Sequence, residues 1–172
     1  MHFGIQSTIM RSWALKGSKP QVKSYAGRKN ASYSGFVTPE DGRLFVARPF
    51  WFNWETTVQS LREFISHLPP GDGRRIICVL DNAPWHKKAV RLVQTEALPE
   101  YQDIRDRMTL VSLPPYSPDL NPIEQVWRIT RREKTHNRFW ENFQALSSTL
   151  DDWFDSLSVP NEKIKTLCSF KP

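Results

Sequence analysis

Residues 76–86 read IICVLDNAPWH, and this stretch decides the fold because a continuous apolar run ends at Asp81. A short run of this kind is typical of a central strand that is covered on both faces. In open α/β sheets, functional sites form at the carboxyl ends of the strands. We therefore expect Asp81 to project from a rigid strand into a cleft. An aspartate that only caps the following turn would have the same local sequence, and this alternative stays open.

The apolar periodicity on either side of this strand predicts an alternation of strands and helices. Strands at 31–37 and 44–52 are expected to form a hairpin around the turn signal at 39–42. The other expected elements are a short strand near 12–15 within a basic loop at 1–28, a helix at 54–68, the strand at 75–80, a helix at 87–98, a strand at 108–113, a helix at 123–132 that extends towards 139, and a helix at 141–157. This order predicts an α/β fold in which helices flank a mixed sheet.

The composition indicates a single basic domain. The 172 residues fit one domain, and 39% hydrophobic with 12% aromatic residues are enough for a core, which excludes a mainly disordered chain. The net charge of +6 makes nucleic acid the first partner to consider. A basic protein without such a partner is the alternative.

Several other classes of protein are excluded by the cysteines and the apolar segments. Cys78 lies in the apolar run, and no CxxC pair accompanies it or Cys168, so neither a zinc site nor a disulfide scaffold is expected. No uncharged apolar stretch is long enough for a membrane span, and the first residues lack a signal-peptide pattern. The expectation is an intracellular protein without a membrane partner.

A second acidic residue stands out in residues 114–127, which read PPYSPDLNPIEQVW. Pro122 suits the first turn of a helix, with Asp119 or Asn121 as its cap. Glu124 then falls in that first turn, where the helix dipole favours an acidic residue for purely structural reasons. The prolines would also fix the position of Glu124 tightly, as a metal-binding carboxylate requires.

Residues 80–87 and 114–127 resemble the second and third acidic motifs of mariner-superfamily DDE transposases, above all those of the bacterial insertion-sequence branch. The resemblance extends from His2 to the helix after Trp127. It implies that residues 1–172 form a transposase catalytic domain with an RNase H-like mixed sheet flanked by helices. Periodicity alone does not distinguish this fold from other mixed sheets.

By this resemblance, Asp81 and Glu124 are the second and third catalytic acids and are metal ligands. The family cleaves a DNA phosphodiester with water and joins the freed 3′-hydroxyl to target DNA. An intact site holds two Mg²⁺ or Mn²⁺ ions, which stabilise the attacking and leaving oxygens. Asn82, His86 and Asn121 are the supporting candidates, although a turn or packing role fits them equally well.

The sequence departs from the family pattern in two places. The spacing between the two acids is wider than is common, and the extra length lies in residues 98–107, where a surface insertion costs little. The first catalytic acid precedes a segment like residues 1–7 in the family, but no Asp or Glu occurs here before Glu40. Glu40 and Asp41 lie in the hairpin turn and make poor replacements. We therefore expect an N-terminally truncated domain with a missing or incomplete first strand, no N-terminal helix-turn-helix region, and little or no strand transfer by this chain alone.

Basic residues flank both acidic motifs, on helices that leave the expected catalytic edge. There they would contact the phosphates of double-stranded DNA, at transposon ends and target, without reading sequence. A solvated helix face is the alternative. The residues are Lys87, Lys88, Arg128, Arg131, Arg132, Lys134 and Arg138. A homodimer is a further candidate partner, and the expected location is the bacterial cytoplasm, at the nucleoid.

Three functions remain open at this point. The first is a transposase catalytic domain, with metal-dependent DNA cleavage and strand transfer in the parent enzyme. The second is an inactive remnant that only binds DNA or self-associates, which the absent first acid favours. The third is another RNase H-like nuclease that uses Glu40 or Asp41. Trp85 and Trp127 are interpreted as walls of the cleft or core rather than as base-stacking groups.

Overall fold

A computed structural model describes residues 1–68 and 75–169 as alternating short strands and helices. The strands are β1 (His2–Gly4), β2 (Asn30–Ser32), β3 (Ser34–Thr38), β4 (Arg43–Ala47), β5 (Ile76–Leu80) and β6 (Met108–Ser112). The helices are α1 (Trp54–His67), α2 (Pro84–Gln94), α3 (Gln102–Arg107), α4 (Pro122–Thr130), α5 (Phe143–Asp155) and α6 (Glu162–Cys168). Pro99–Tyr101 and Pro118–Leu120 form 3₁₀ turns, and Arg131–Thr135 forms a π-helical turn. Within the described residues no helix combines the length and apolarity needed to cross a membrane.

The described strands pair in three two-stranded sheets. β1 pairs antiparallel with β2, and β3 and β4 form the predicted antiparallel hairpin. The hairpin turn closes through Gly42, whose φ of 70° carries no steric penalty for glycine. β5 and β6 run parallel, with Leu80 opposite Ser112, and α2 and α3 form the crossover that parallel strands need. The predicted α/β class with flanking helices is confirmed.

Two apolar clusters of the described residues hold the helices against the strands. The first joins β1, β2, α4, α5 and α6 around the packed rings of Phe3, Tyr33, Trp127 and Phe154. The second joins α1, α2 and α3 to the β5–β6 sheet, with Leu61 among its fully buried side chains. The acidic motif after β5 and the motif at the start of α4 therefore belong to different clusters.

One face of β5 is open. Cys78 and Leu80 are buried in the second cluster, whereas Ile77 and Val79 are 70% and 45% exposed. The expectation of a strand covered on both faces is therefore wrong for the described residues. Alternate side chains of a strand point to opposite faces, and the packed helices contact only one of them.

Prolines account for two shifted element boundaries. The strand expected at 44–52 is shorter because Pro49 lacks the amide N–H that a strand ladder uses. The helix expected at 87–98 begins earlier, at Pro84, since the fixed φ of proline suits the first helical position. This helix ends at Gln94.

Other differences arise where tertiary contacts override the local pattern. The strand expected at 31–37 divides at Tyr33, whose buried side chain donates a hydroxyl hydrogen bond to Asp151 at 2.9 Å. The strand expected near 12–15 does not form. The helix expected from 123 towards 139 gives way to the π-helical turn. β1 and α6 were not predicted.

The segment at 98–107, expected as a surface insertion, folds as a 3₁₀ turn and α3 and docks on α1. Arg62 of α1 donates to Asp103 Oδ2 from Nε at 2.7 Å and to Oδ1 from its terminal nitrogen at 3.2 Å. Ile104 is fully buried beneath this contact. The hydrogen bond from Arg62 is the main cause of a lowered Asp103 pKa, and burial opposes it.

Replacing Arg62 by alanine should lower the free energy of unfolding at neutral pH by about 0.2–1 kcal/mol, the usual range for an exposed ion pair. Because the folded-state pKa of Asp103 lies below its ordinary value, the ion pair stabilises the fold fully at pH values above that ordinary pKa. The contribution is lost as the pH falls through the folded-state pKa. Urea midpoints of the wild type and Arg62→Ala should therefore differ near neutral pH and converge in strong acid. Arg91→Ala, at an exposed arginine of α2, is the control. A difference that persists in acid would mean that Arg62 acts instead through its hydrogen bond to the Glu100 carbonyl oxygen and its packing on Tyr101.

Candidate active site

Asp81 lies directly after β5, at the carboxyl end of the parallel pair, as the sequence predicts. The neighbouring Asn82 donates from Nδ2 to the carbonyl oxygens of Leu113 at 2.7 Å and Pro114 at 3.4 Å. The Leu113 amide in turn donates to the Leu80 carbonyl at 2.8 Å. Asn82 therefore ties the end of β5 to the segment after β6 and holds the base of the site.

The Asp81 carboxylate is held by two hydrogen bonds on one oxygen. Oδ1 accepts from the backbone N–H of Ala83 at 2.9 Å and lies 2.5 Å from Nδ1 of His86. The hydrogen bond with His86 is the main cause of a lowered Asp81 pKa; burial opposes it, and the Ala83 amide adds to it. The Ala83 contact is also the one that a turn-capping aspartate would make. Since both contacts use Oδ1, Oδ2 could ligate a cation without breaking them.

Glu124 lies half-buried in the first turn of α4. Its backbone N–H donates to the Asn121 carbonyl at 3.0 Å. Of the two predicted caps, Asn121 takes the N-cap position, although its side chain makes no capping hydrogen bond, and Asp119 lies within the preceding 3₁₀ turn. Pro118 and Pro122 instead open the turn and the helix, where their fixed φ angles hold the helix start in place.

A cavity of about 1150 Å³ lies between β3, β5 and the start of α4. Asp81 and Glu124 both line it, together with His86 and Asn121. Burial lowers the pKa of the Met1 amine to about 6, and the negative charges of Glu124 and Asp81 both act against this change. Two carboxylates from separate motifs therefore line one cavity and act on the same amine.

Aromatic side chains form part of the cavity wall. Trp127 is buried, and Trp85 stacks on Phe52 with ring centroids 5.9 Å apart. All three line the cavity, which agrees with the interpretation of the two tryptophans as walls. The part played by Phe52 was missed from the sequence, because no local pattern pairs a loop residue with a helix that begins some thirty residues later.

Glu40 and Asp41 lie in the turn after β3, at the opposite end of that strand from Tyr33. The Met1 amine donates to the Tyr33 carbonyl at 2.7 Å, so the Tyr33 end of β3 adjoins the acids. At about 3.3 Å per residue, β3 then carries the chain roughly 20 Å away before Glu40. Glu40 borders the far end of the same cavity, and Asp41 accepts a hydrogen bond from the Arg43 backbone at 3.0 Å. This separation argues against the third function.

Most of the chain matches the profile of a known protein family. The profile of the DDE superfamily endonucleases matches residues 1–147, a range that includes both acidic motifs. The chain belongs to the DDE superfamily endonucleases. The match covers well over half of the sequence, and the two acidic motifs lie inside it.

Solved structures and a curated relative resemble this DDE-family chain. The Mos1 strand transfer complex has a TM-score of 0.61 and 16% identity, over 98% of this chain and 49% of that chain. The Mos1 transposase paired-end complex with left transposon end has a TM-score of 0.63 and 14% identity, over 96% and 48%. The uncharacterized protein y4pE/y4sA of Sinorhizobium fredii (strain NBRC 101917 / NGR234) is 35% identical over 75 residues, 44% of this chain and 47% of the relative. The predicted RNase H-like fold of a mariner-type transposase is thereby confirmed, and the chain spans about half the length of these proteins.

The donor chemistry of this DDE-family chain fits one hard cation better than two. Carboxylates are preferred ligands of Mg²⁺ and Mn²⁺, and Asp81 and Glu124 offer them at one cavity. Among residues 1–68 and 75–169, no group of three or more His, Cys, Asp or Glu side chains is placed to hold a metal. A two-ion centre therefore does not fit the described residues.

Three of the basic residues expected to contact DNA lie near the cavity. Arg131 lines the cavity itself. Lys87 and Lys88 are exposed in the first turns of α2, directly after His86. These three side chains place positive charge in or next to the cavity.

The other basic residues continue along and beyond α4. Arg128 and Arg138 are exposed. Arg132 lies 3.7 Å from Glu133, and the Lys134 ammonium lies 4.5 Å from the centre of the Trp153 ring.

Proposed function

We propose that this chain is the catalytic domain of a mariner-type transposase of a bacterial insertion sequence, which binds double-stranded DNA and cleaves it by metal-dependent phosphodiester chemistry. The observation that carries the proposal is that Asp81 and Glu124, from separate motifs, line one cavity bordered by basic residues. Membership of the DDE superfamily endonucleases supports the class of reaction. The names of the Mos1 structures, which mention strand transfer and a transposon end, support DNA as the partner.

In this proposal each polar residue of the cavity has a defined task. Asp81 and Glu124 hold a divalent cation, and a bound Mg²⁺ or Mn²⁺ supplies Lewis-acid stabilisation of the charge that develops on phosphate oxygens. His86 positions the Asp81 carboxylate through Nδ1, and Asn82 keeps the ends of β5 and β6 together. Asn121 anchors the first turn of α4 through its backbone carbonyl.

Calorimetric titration with Mn²⁺ tests the roles of the two acids. The wild type should bind the ion, and Asp81→Asn and Glu124→Gln should each weaken binding at least roughly tenfold, since loss of a supporting contact alone costs about that much. Asp119→Asn is the matched control, because Asp119 is exposed in the same motif and does not line the cavity. Equal affinity in the wild type and both cavity variants would contradict the proposed roles.

A DNA-binding protein without cleavage activity is the second candidate. It is favoured because the described residues offer two carboxylates, rather than a group of three, for the metal. Nicking of a supercoiled plasmid with Mg²⁺ or Mn²⁺ separates the candidates: activity that disappears in Asp81→Asn supports the enzyme. DNA binding that weakens with salt, without nicking, supports the inactive remnant. Sedimentation of the same samples tests the proposed homodimer.

A further inference from the structure

Two large aromatic side chains project into solvent beside the cavity. Phe50 and Trp51, in the loop between β4 and α1, are 89% and 58% exposed. Their rings meet edge to face, with centroids 5.1 Å apart. The Thr56 hydroxyl donates to the Trp51 carbonyl at 3.0 Å and accepts from the Asn53 N–H at 3.1 Å. This pair, here called the aromatic ledge, therefore stands on a backbone that is fixed to the start of α1.

The aromatic ledge continues into the wall of the cavity. The next residue, Phe52, stacks on Trp85 with an interplanar angle of 16°. Trp85 lies edge to face with His86 at 6.0 Å, and His86 contacts Asp81. The backbone thus joins the ledge to Phe52, and a series of rings leads from Phe52 to His86, which contacts the proposed metal-binding acid.

Positive charge accompanies the aromatic ledge. Trp54 begins α1 immediately after the loop, and the Lys88 ammonium lies 4.8 Å from the centre of its ring. The exposed Lys87 precedes Lys88 in α2. Lysine is depleted in the centres of protein–protein interfaces. Aromatic rings beside cationic side chains are typical of surfaces that bind single-stranded nucleic acid. The charges therefore favour a nucleic acid over a second copy of the chain as the occupant.

We propose that the aromatic ledge stacks an unpaired base of the DNA strand whose phosphodiester enters the cavity; this inference rests on the proposed function. Unpairing a base costs free energy, and stacking on Trp51 and Phe50 offsets that cost. Every base has a π face, so the ledge binds without reading sequence. The base-stacking groups are then these two exposed rings, and Trp85 remains part of the wall.

Fluorescence titrations with two labelled DNAs test the proposal. One is a short fully paired duplex, and the other is the same duplex with a central mismatched stretch that carries 2-aminopurine. The wild type should prefer the mismatched DNA and quench the 2-aminopurine on binding. Trp51→Ala should lose roughly tenfold in affinity for that DNA and lose the quenching, as expected for one stacked base. Trp51→Phe should retain both, and Trp13→Ala, at a fully exposed tryptophan that does not line the cavity, should behave as the wild type.

The outcomes separate this inference from the proposed function. If the wild type binds the paired duplex in a salt-sensitive way and does not prefer the mismatched DNA, base stacking on the aromatic ledge is wrong and the proposed function still holds. Failure of the wild type to bind either DNA would overturn both. An equal loss of affinity for both DNAs in Trp51→Ala also overturns stacking. If Trp51→Ala instead turns a dimer into a monomer in sedimentation, the occupant is a second copy and the inference is wrong. Unchanged melting curves for the exposed variants will show that each is folded.

Discussion

Trp127→Ala is expected to lower the free energy of unfolding by about 3–5 kcal/mol, the usual cost of truncating a buried tryptophan. Trp127 is only 4% exposed, and its ring packs against Phe3 at 6.2 Å and Phe154 at 5.7 Å. A Cβ added at Gly35 would lie 2.6 Å from the same ring, which shows how closely β3 approaches it. Removal of the indole would leave a void between α4, α5 and the strands. Glu124 lies one helical turn earlier on α4, so the loss also loosens the support of the proposed site.

Urea unfolding followed by circular dichroism measures this effect. Trp13→Ala is the control, because Trp13 is fully exposed and its removal should change stability by less than about 0.5 kcal/mol. If Trp127→Ala does not fold, Trp127→Phe keeps part of the ring volume and should give a smaller loss of the same sign. A loss in the Trp127 variants no larger than that of the control would show that the ring is not a central part of this core.

The two acidic motifs could be predicted because each carries a local signal. Asp81 follows an uninterrupted apolar run, and the position of a residue at the end of a strand does not depend on what covers the strand. Glu124 follows a proline-marked helix start, whose geometry is set by the φ angles of neighbouring residues. Their common cavity was expected from the family resemblance, and the charges of both carboxylates act on the same Met1 amine.

Features that depend on distant parts of the chain could not be predicted in this way. An apolar strand has the same sequence whether one or two layers cover it, so the exposure of Ile77 had no local signal. The break between β2 and β3 falls at Tyr33, whose hydroxyl donates a hydrogen bond to Asp151 on α5, more than one hundred residues away. The stacking of Phe52 on Trp85 likewise joins the loop before α1 to α2, the helix that follows Asp81.

The helix α6 was missed because its stability is tertiary. It has seven residues, and isolated helices of this length are marginal in water. Its Ile164 is fully buried in the cluster around Trp127, and the Cys168 thiol donates to the Pro122 carbonyl at 3.4 Å. α6 thus supports the first residue of the helix that carries Glu124, which the local pattern could not reveal.

Gly42→Ala is expected to lower the free energy of unfolding by about 2–5 kcal/mol. The left-handed backbone conformation costs an alanine about 1–2 kcal/mol, and overpacking by the added methyl group costs about 1–3 kcal/mol more. Gly42 has a φ of 70°, and a Cβ there would lie 2.1 Å from the Asn161 carbonyl oxygen and 2.5 Å from the Lys165 nitrogen. The first atom belongs to the N-cap residue of α6 and the second to α6 itself, and both are backbone atoms. The clash can therefore be relieved only by moving the hairpin turn away from α6.

Gly17→Ala is the matched control, because Gly17 also has a positive φ, of 86°, but no atom lies within 4 Å of an added Cβ. In Gly17→Ala, only the left-handed backbone conformation lowers the free energy of unfolding. The difference in this free energy between the two variants therefore measures the clash with α6. Hydrogen exchange should show faster exchange of the α6 amides in Gly42→Ala and not in Gly17→Ala. Because α6 contacts the start of α4, Gly42→Ala should also weaken Mn²⁺ binding. Equal losses of stability in the two variants would mean that the hairpin turn does not hold α6.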